Sequence, residues 1–115
     1  MSIISYLSSL FGGKVKKVNV SEFEALMKDP KAVVLDVRTE GEFVAGHIEG
    51  AVNIDFYKLE SKLNQLDKNK VYLVYCASGG RSLLACKLMS KLGFNCYDLK
   101  GGIKAWIKEG KPITK

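Results

Sequence analysis

Three kinds of side chain that can act on a substrate fall within seven residues: the thiol of Cys76, the hydroxyls of Ser78 and Ser82, and the guanidinium of Arg81, in the order Cys76-Ala77-Ser78-Gly79-Gly80-Arg81-Ser82. A cysteine attacks as thiolate, so the chemistry depends on what favours the anion. Backbone N–H groups of a short glycine-containing loop can converge on one point. The first turn of a following helix adds unpaired donors and the positive end of a dipole. A sulfur held there is favoured as thiolate at neutral pH without a neighbouring base. Gly79-Gly80 permits the positive φ angles of a tight curl, and Arg81 sets a cation at its rim. A cysteine that merely fills space at a strand end needs none of these neighbours.

The elements on either side fit that placement. Val71-Tyr72-Leu73-Val74-Tyr75 is an apolar, β-rich run that reads as a buried strand. Leu83, Leu84, Leu88 and Leu92 follow at helical spacing, so a packed helix is expected from Arg81 to Leu92, closed by Gly93. Cys76 then stands at a strand's carboxyl end, where ligands bind in open parallel sheets.

The loop resembles the active-site loop of rhodanese-like sulfurtransferases, and the resemblance covers most of the chain. Leu35-Asp36-Val37-Arg38, Glu42-Phe43, Gly46-His47-Ile48 and Gly50-Ala51-Val52-Asn53-Ile54 look like the family's amino-terminal signature. Leu99-Lys100-Gly101-Gly102-Ile103-Lys104-Ala105-Trp106 and Gly110-Lys111-Pro112 look like its carboxyl-terminal one. The resemblance implies a persulfide mechanism in which Cys76 takes a sulfane sulfur from a donor and passes it to a nucleophilic acceptor. Related phosphatases of the cell-cycle dual-specificity type have one more residue between cysteine and arginine. Here only Ala77, Ser78, Gly79 and Gly80 intervene, which favours sulfur transfer over phosphate or arsenate chemistry.

One domain is expected from 115 residues, of which 47% are hydrophobic and 26% charged, a balance that excludes a disordered or membrane-spanning chain. Three cysteines cannot all pair with one another, and with no secretory signal they point to a reducing, cytoplasmic setting. Residues 1–13 form a separate short apolar segment, with Ile3, Ile4, Leu7, Leu10 and Phe11 on roughly helical spacing. The segment lacks a basic start and a cleavage site, and it is too short to span a bilayer. A helix on the domain's own surface or a frayed tail is the plainer expectation, and contact with a membrane surface the lesser one.

From residue 14 to 115 the pattern alternates strand and helix, as in an α/β domain with a mostly parallel sheet. Strands are expected at Val15–Val20, Ala32–Val37, Ala51–Ile54, Val71–Tyr75 and Phe94–Leu99. Capping boxes at Ser21–Glu24 and Thr39–Glu42 open two helices, the first running to about Lys28 before Pro30. Phe56, Leu59, Leu63 and Leu66 line one face of a helix from Phe56 to Leu66, and Ile103, Trp106 and Ile107 line one face of the last. The architecture expected is a rhodanese-like three-layer fold, a five-stranded sheet with helices on both faces.

Other chemically suggestive residues read as supporting structure. His47 is the one histidine, and a hydrogen-bonding role fits it better than a cysteine–histidine dyad. One histidine and three dispersed cysteines do not make a metal site. Asp36 and Arg38 are expected to point to different faces and, with Glu42, to serve as scaffold. Cys86 and Cys96 read as core, with Cys86 a resolving thiol only if it faces Cys76. Residues 1–67 carry net charge −2 and residues 68–115 carry +8. A positive half around the thiol attracts anions such as thiosulfate. Even so, Lys87 with Lys91 and Lys104 with Lys108 read as solvated helix faces, and no nucleic-acid motif is present.

The function expected is that of a small sulfurtransferase. Cys76 is the catalytic residue. Ala77, Ser78, Gly79, Gly80, Arg81 and Ser82 bind substrate through backbone N–H groups, the two serine hydroxyls and the arginine. The expected partners are a small anionic sulfur donor and a thiol or cyanide-like acceptor, or a protein acceptor; no organic cofactor or metal is needed. A non-catalytic binding module of the same family, and a phosphatase or arsenate reductase on the same scaffold, are the alternatives.

Overall fold

The computed structural model describes residues 15–115, so the apolar segment 1–13 lies outside the described residues. The elements run β1 (Lys16–Val18), α1 (Val20–Leu26), β2 (Ala32–Asp36), α2 (Glu40–Ala45), β3 (Val52–Asn53), α3 (Phe56–Lys62), β4 (Val71–Tyr75), α4 (Gly80–Lys91), β5 (Asn95–Leu99) and α5 (Gly102–Lys108). All strand pairs are parallel, in the order β1-β5-β4-β2-β3. β4 is therefore central, which accounts for its apolar character on both faces.

Side-chain alternation along β4 divides the core in two. Tyr72, Val74 and Cys76 face the layer made by Leu59 and Leu63 with Ala85, Cys86 and Met89 of α4. Leu73 and Tyr75 face the layer made by Val20 and Phe23 of α1 with Ile103 and Trp106 of α5. Helices thus cover both faces of a five-stranded sheet, as expected.

Local differences have local causes. The first capping box uses Asn19, not Ser21: its side chain accepts from the Glu22 N–H at 2.8 Å, and Glu22 accepts from the Asn19 N–H at 3.1 Å. That start drops Val20 and Phe23 into the core. α3 ends at Lys62, and Leu63–Gln65 tightens into a 3₁₀ turn that still buries Leu63. On α4 the buried residues are Ser82, Ala85, Cys86 and Met89, while Leu84 and Leu92 are 53% and 45% exposed. Ile107 is likewise exposed, because α5 turns Ile103 and Trp106 into the core with Ala105 packed at its edge. The Trp106 Nε1–H is satisfied by the Pro112 carbonyl at 2.8 Å.

Candidate active site

β4 ends at Tyr75, and the next residue, Cys76, is 1% exposed. Its Sγ accepts from the Gly79 N–H at 3.1 Å and lies 3.3 Å from Ser82 Oγ. Ser82 Oγ is also 3.3 Å from the Gly79 carbonyl oxygen, so one hydroxyl has two acceptors within reach. Gly79 takes φ +118°, which a side chain would strain, and it stands immediately before α4. Gly80 is the first helical residue, has no positive φ and has open space where a Cβ would sit, so only one glycine of the pair is required by the backbone. The N–H groups of Gly80, Arg81 and Ser82 are those of the first helical turn, which have no intrahelical acceptor. Ala77 is half-buried. Ser78 is exposed and makes no hydrogen bond to the sulfur among the described residues.

The loop's carbonyls turn the other way. The Cys76 oxygen accepts from the Ile103 N–H at 2.9 Å, and the Ala77 oxygen from the Lys104 N–H at 3.1 Å. The start of α5 is thus bonded to the start of the cysteine loop. Gly102 makes the approach possible, since a Cβ there would stand 2.5 Å from the Ala77 oxygen and 2.6 Å from the Cys76 oxygen. Its φ of +63° and the +81° of Gly101 bring the chain round to that contact.

Arg81 leans outward from the loop onto Glu42, with Nη1 donating to Oε1 at 2.7 Å and Nη2 to Oε2 at 3.0 Å. The arginine, with opposition from burial and help from the Thr39 N–H and hydroxyl, holds the Glu42 carboxyl down at about 2. Thr39 and Glu42 form the expected capping box of α2. The cation at the rim is therefore a bridged one.

Asp36 and Arg38 do meet, contrary to the expectation that they point apart. Residues i and i+2 of an extended segment share a face, and Arg38 makes a two-pronged contact with the Asp36 carboxylate, Nη2 to Oδ2 at 2.7 Å and Nε to Oδ1 at 3.1 Å. Both are buried. Arg38 also donates to the Gly46 carbonyl at 2.7 Å and lies over the Tyr75 ring, which points away from the Cys76 side chain across the sheet. This pair braces the connection after α2.

The His47 ring stacks on Phe43 with centroids 3.8 Å apart, and its Nδ1 lies 2.8 Å from the Phe43 oxygen. Its backbone pairs with Thr114 in both directions at 2.8 Å. These are scaffold contacts, and no contact joins His47 to Cys76. Cys86 and Cys96 are buried free thiols in the same core as Cys76. The neighbouring Cys96 thiol, followed by burial, pushes the Cys86 thiol far up. That disfavours it as a resolving nucleophile.

Asp98 is a residue that sequence reasoning passed over. It is 1% exposed, stands in register with Val74 of β4 and Lys17 of β1, and its Oδ1 has no hydrogen-bond partner among the described residues. Burial pushes its carboxyl up, against smaller opposing influences from Ser82 and Lys17. The signal that could have found it is the two-residue period of β5: Cys96 faces the Cys76 layer, so Asp98 must too.

Comparison with known proteins agrees with this geometry. The model of the Rhodanese-like domain family matches residues 19–109. A protein of Allochromatium vinosum named Sulfurtransferase is 30% identical over 102 residues, covering 87% of this chain and 95% of that one. The uncharacterized protein YqhL of Bacillus subtilis is 38% identical over 93 residues, covering 80% and 72%. The crystal structure of a rhodanese-related protein from Thermoplasma volcanium superposes with a TM-score of 0.81 at 37% identity, covering 86% of this chain and 97% of that one. With the model spanning most of the chain and the sheet order and cysteine loop in place, the protein belongs to the rhodanese-like domain family.

Proposed function

We propose that the domain from residue 14 to 115 is a sulfurtransferase that carries a sulfane sulfur as a persulfide on Cys76. The observation that carries the reading is the Cys76 sulfur at the end of β4, receiving the Gly79 N–H at 3.1 Å and lying 3.3 Å from the Ser82 hydroxyl, before the first turn of α4. Such donors stabilise an anion on sulfur in both the resting and the loaded enzyme.

The Cys76 thiolate attacks the sulfane sulfur of a donor such as thiosulfate or another persulfide. A new S–S bond forms as the donor's breaks, and the electron pair leaves with the donor, as sulfite in the case of thiosulfate. An acceptor, a thiolate or a cyanide-like anion, then attacks the outer sulfur, and the pair returns to Cys76. No proton is consumed, so a donor cradle suffices where a general base would otherwise be needed. The N–H groups of residues 77–82 and the Ser82 hydroxyl hold the charge. Ser78 stands at the mouth, and Arg81 receives the donor's anionic end. Because Cys76 is 1% exposed, donors reach it through local opening of the loop.

The partners are accordingly a small anionic donor and a small or protein acceptor. Three free thiols support a reducing compartment such as the cytoplasm. No helix among the described residues is long and apolar enough to cross a membrane. The test is a turnover assay with thiosulfate and cyanide, scored by thiocyanate formed. Turnover that Cys76→Ser abolishes supports the reading, and turnover that survives the substitution contradicts it.

A further inference from the structure

One flank of α4 carries more apolar surface than the fold covers. Leu84, Leu88 and Leu92 follow one another at helical spacing, with Leu84 53% and Leu92 45% exposed and Leu88 half-buried against the core. At the foot of the helix Leu92 joins Leu63 and Phe94 in lining an open groove of about 300 Å³, with Glu60, Asn64 and Lys68 as its polar rim. The groove lies where α3 and its 3₁₀ turn pass α4, at the end of the sheet opposite Cys76.

The chain itself supplies an occupant of matching length and chemistry. Val15 packs against the same core as Leu88 and Phe94. Lys16 is in register with Tyr97 on the parallel strand β5, which sets Val15 across from Cys96 and about 8 Å from Phe94. The chain therefore enters the domain at the foot of α4, and the stretch from Phe11 to Val15 can reach about 13 Å. Ile3, Ile4, Leu7, Leu10 and Phe11 recur at helical spacing over about 12 Å, the length that separates Leu84 from Leu92 along α4. Gly12-Gly13 permits the reversal that would run them back along the helix. So short a segment gains helical order only by packing an apolar face on something. A lipid surface is the poorer match, because the polar positions are serines and a tyrosine, with no lysine or arginine before Lys14.

We propose that residues 3–11 dock as an amphipathic helix on the Leu84-Leu88-Leu92 flank of α4, with Phe11 toward the groove at Leu92 and Ile3 toward Leu84. The docked segment is a strap along the helix that follows Cys76, and it covers the two exposed leucines. The proposal stands apart from the sulfur chemistry, and nothing in its test depends on turnover.

The test is amide hydrogen exchange of the full chain, dilute and without lipid, read by mass spectrometry of peptides from residues 1–14. Docking predicts exchange over residues 3–11 about tenfold or more slower than in an unstructured chain. Leu84→Glu together with Leu92→Glu should return it to the unstructured rate while β4 stays protected. Unprotected residues 3–11 in the native chain would overturn the proposal, and so would protection that survives the two glutamates. Protection that grows with protein concentration would overturn it in favour of a second copy, and protection seen only with phosphatidylglycerol vesicles in favour of a membrane surface. Should the double variant fail to fold, Leu7→Ser with Leu10→Ser, outside the described domain, decides the matter through the Leu84 and Leu92 methyl signals in carbon-13 NMR. Signals that shift support docking, and signals that stay in place overturn it.

Discussion

Both terminal nitrogens of Arg81 reach the carboxylate of Glu42, 39 residues earlier in the chain, at 2.7 and 3.0 Å. The bridge ties the helix that follows Cys76 to the start of α2, and it offsets the positive charge nearest the loop's mouth. Glu42→Gln should therefore expose that charge to an incoming anion and lower the KM for thiosulfate severalfold, whereas Arg81→Ala should raise it. Steady-state kinetics at low salt would check both. A KM unmoved by either substitution would remove Arg81 from donor binding.

The same bridge sets an acid limit. Glu42 is held at about 2 against an ordinary 4.5, chiefly by Arg81. A carboxylate lowered on folding contributes stability above its unfolded value and loses it as pH falls through the folded one. The stability difference between the native chain and Glu42→Gln should be constant above pH 4.5 and disappear by about pH 2. Both side chains are about a third exposed, so solvent and salt keep the difference small. Melting temperatures across that range would show it, and a difference that grew on acidification would contradict the bridge.

Asp36→Asn should cost far more, because it leaves the buried Arg38 guanidinium without its counter-charge. Breaking a buried pair from one side costs roughly 3–5 kcal/mol. Urea denaturation would measure it, and a loss below about 1 kcal/mol would show that the pair is solvated.

Gly102→Ala should disturb the site without touching the thiol. The new Cβ would meet the Ala77 and Cys76 carbonyl oxygens at about 2.5 Å, at a φ of +63°. Strain of that kind costs on the order of 1–2 kcal/mol before any clash is counted, and relief requires the cysteine loop to shift. Reduced stability together with slower alkylation of Cys76 is expected, while reduced stability alone would separate Gly102 from the loop.

What could be read from the sequence followed from periodicity and turn chemistry. The uniformly apolar run of β4 placed a central parallel strand, and Gly79 before a helical pattern placed the thiol at its carboxyl end. Spacing was less informative where the buried side chains are small or polar. α4 turns Ser82, Ala85, Cys86 and Met89 inward and leaves Leu84 exposed. The pairing of Arg81 with Glu42 joins distant segments, and no local pattern encodes it. Asp36 with Arg38 was within reach, since residues two apart on a strand share a face.

The central claim is that Cys76 carries the transferred sulfur, and intact-protein mass spectrometry after incubation with thiosulfate tests it most directly. The native chain should gain one sulfur, about +32 Da, that a reducing agent removes, and Cys76→Ser should gain none. A sulfur retained by Cys76→Ser, or a native chain left unmodified by both thiosulfate and a persulfide donor, would contradict it.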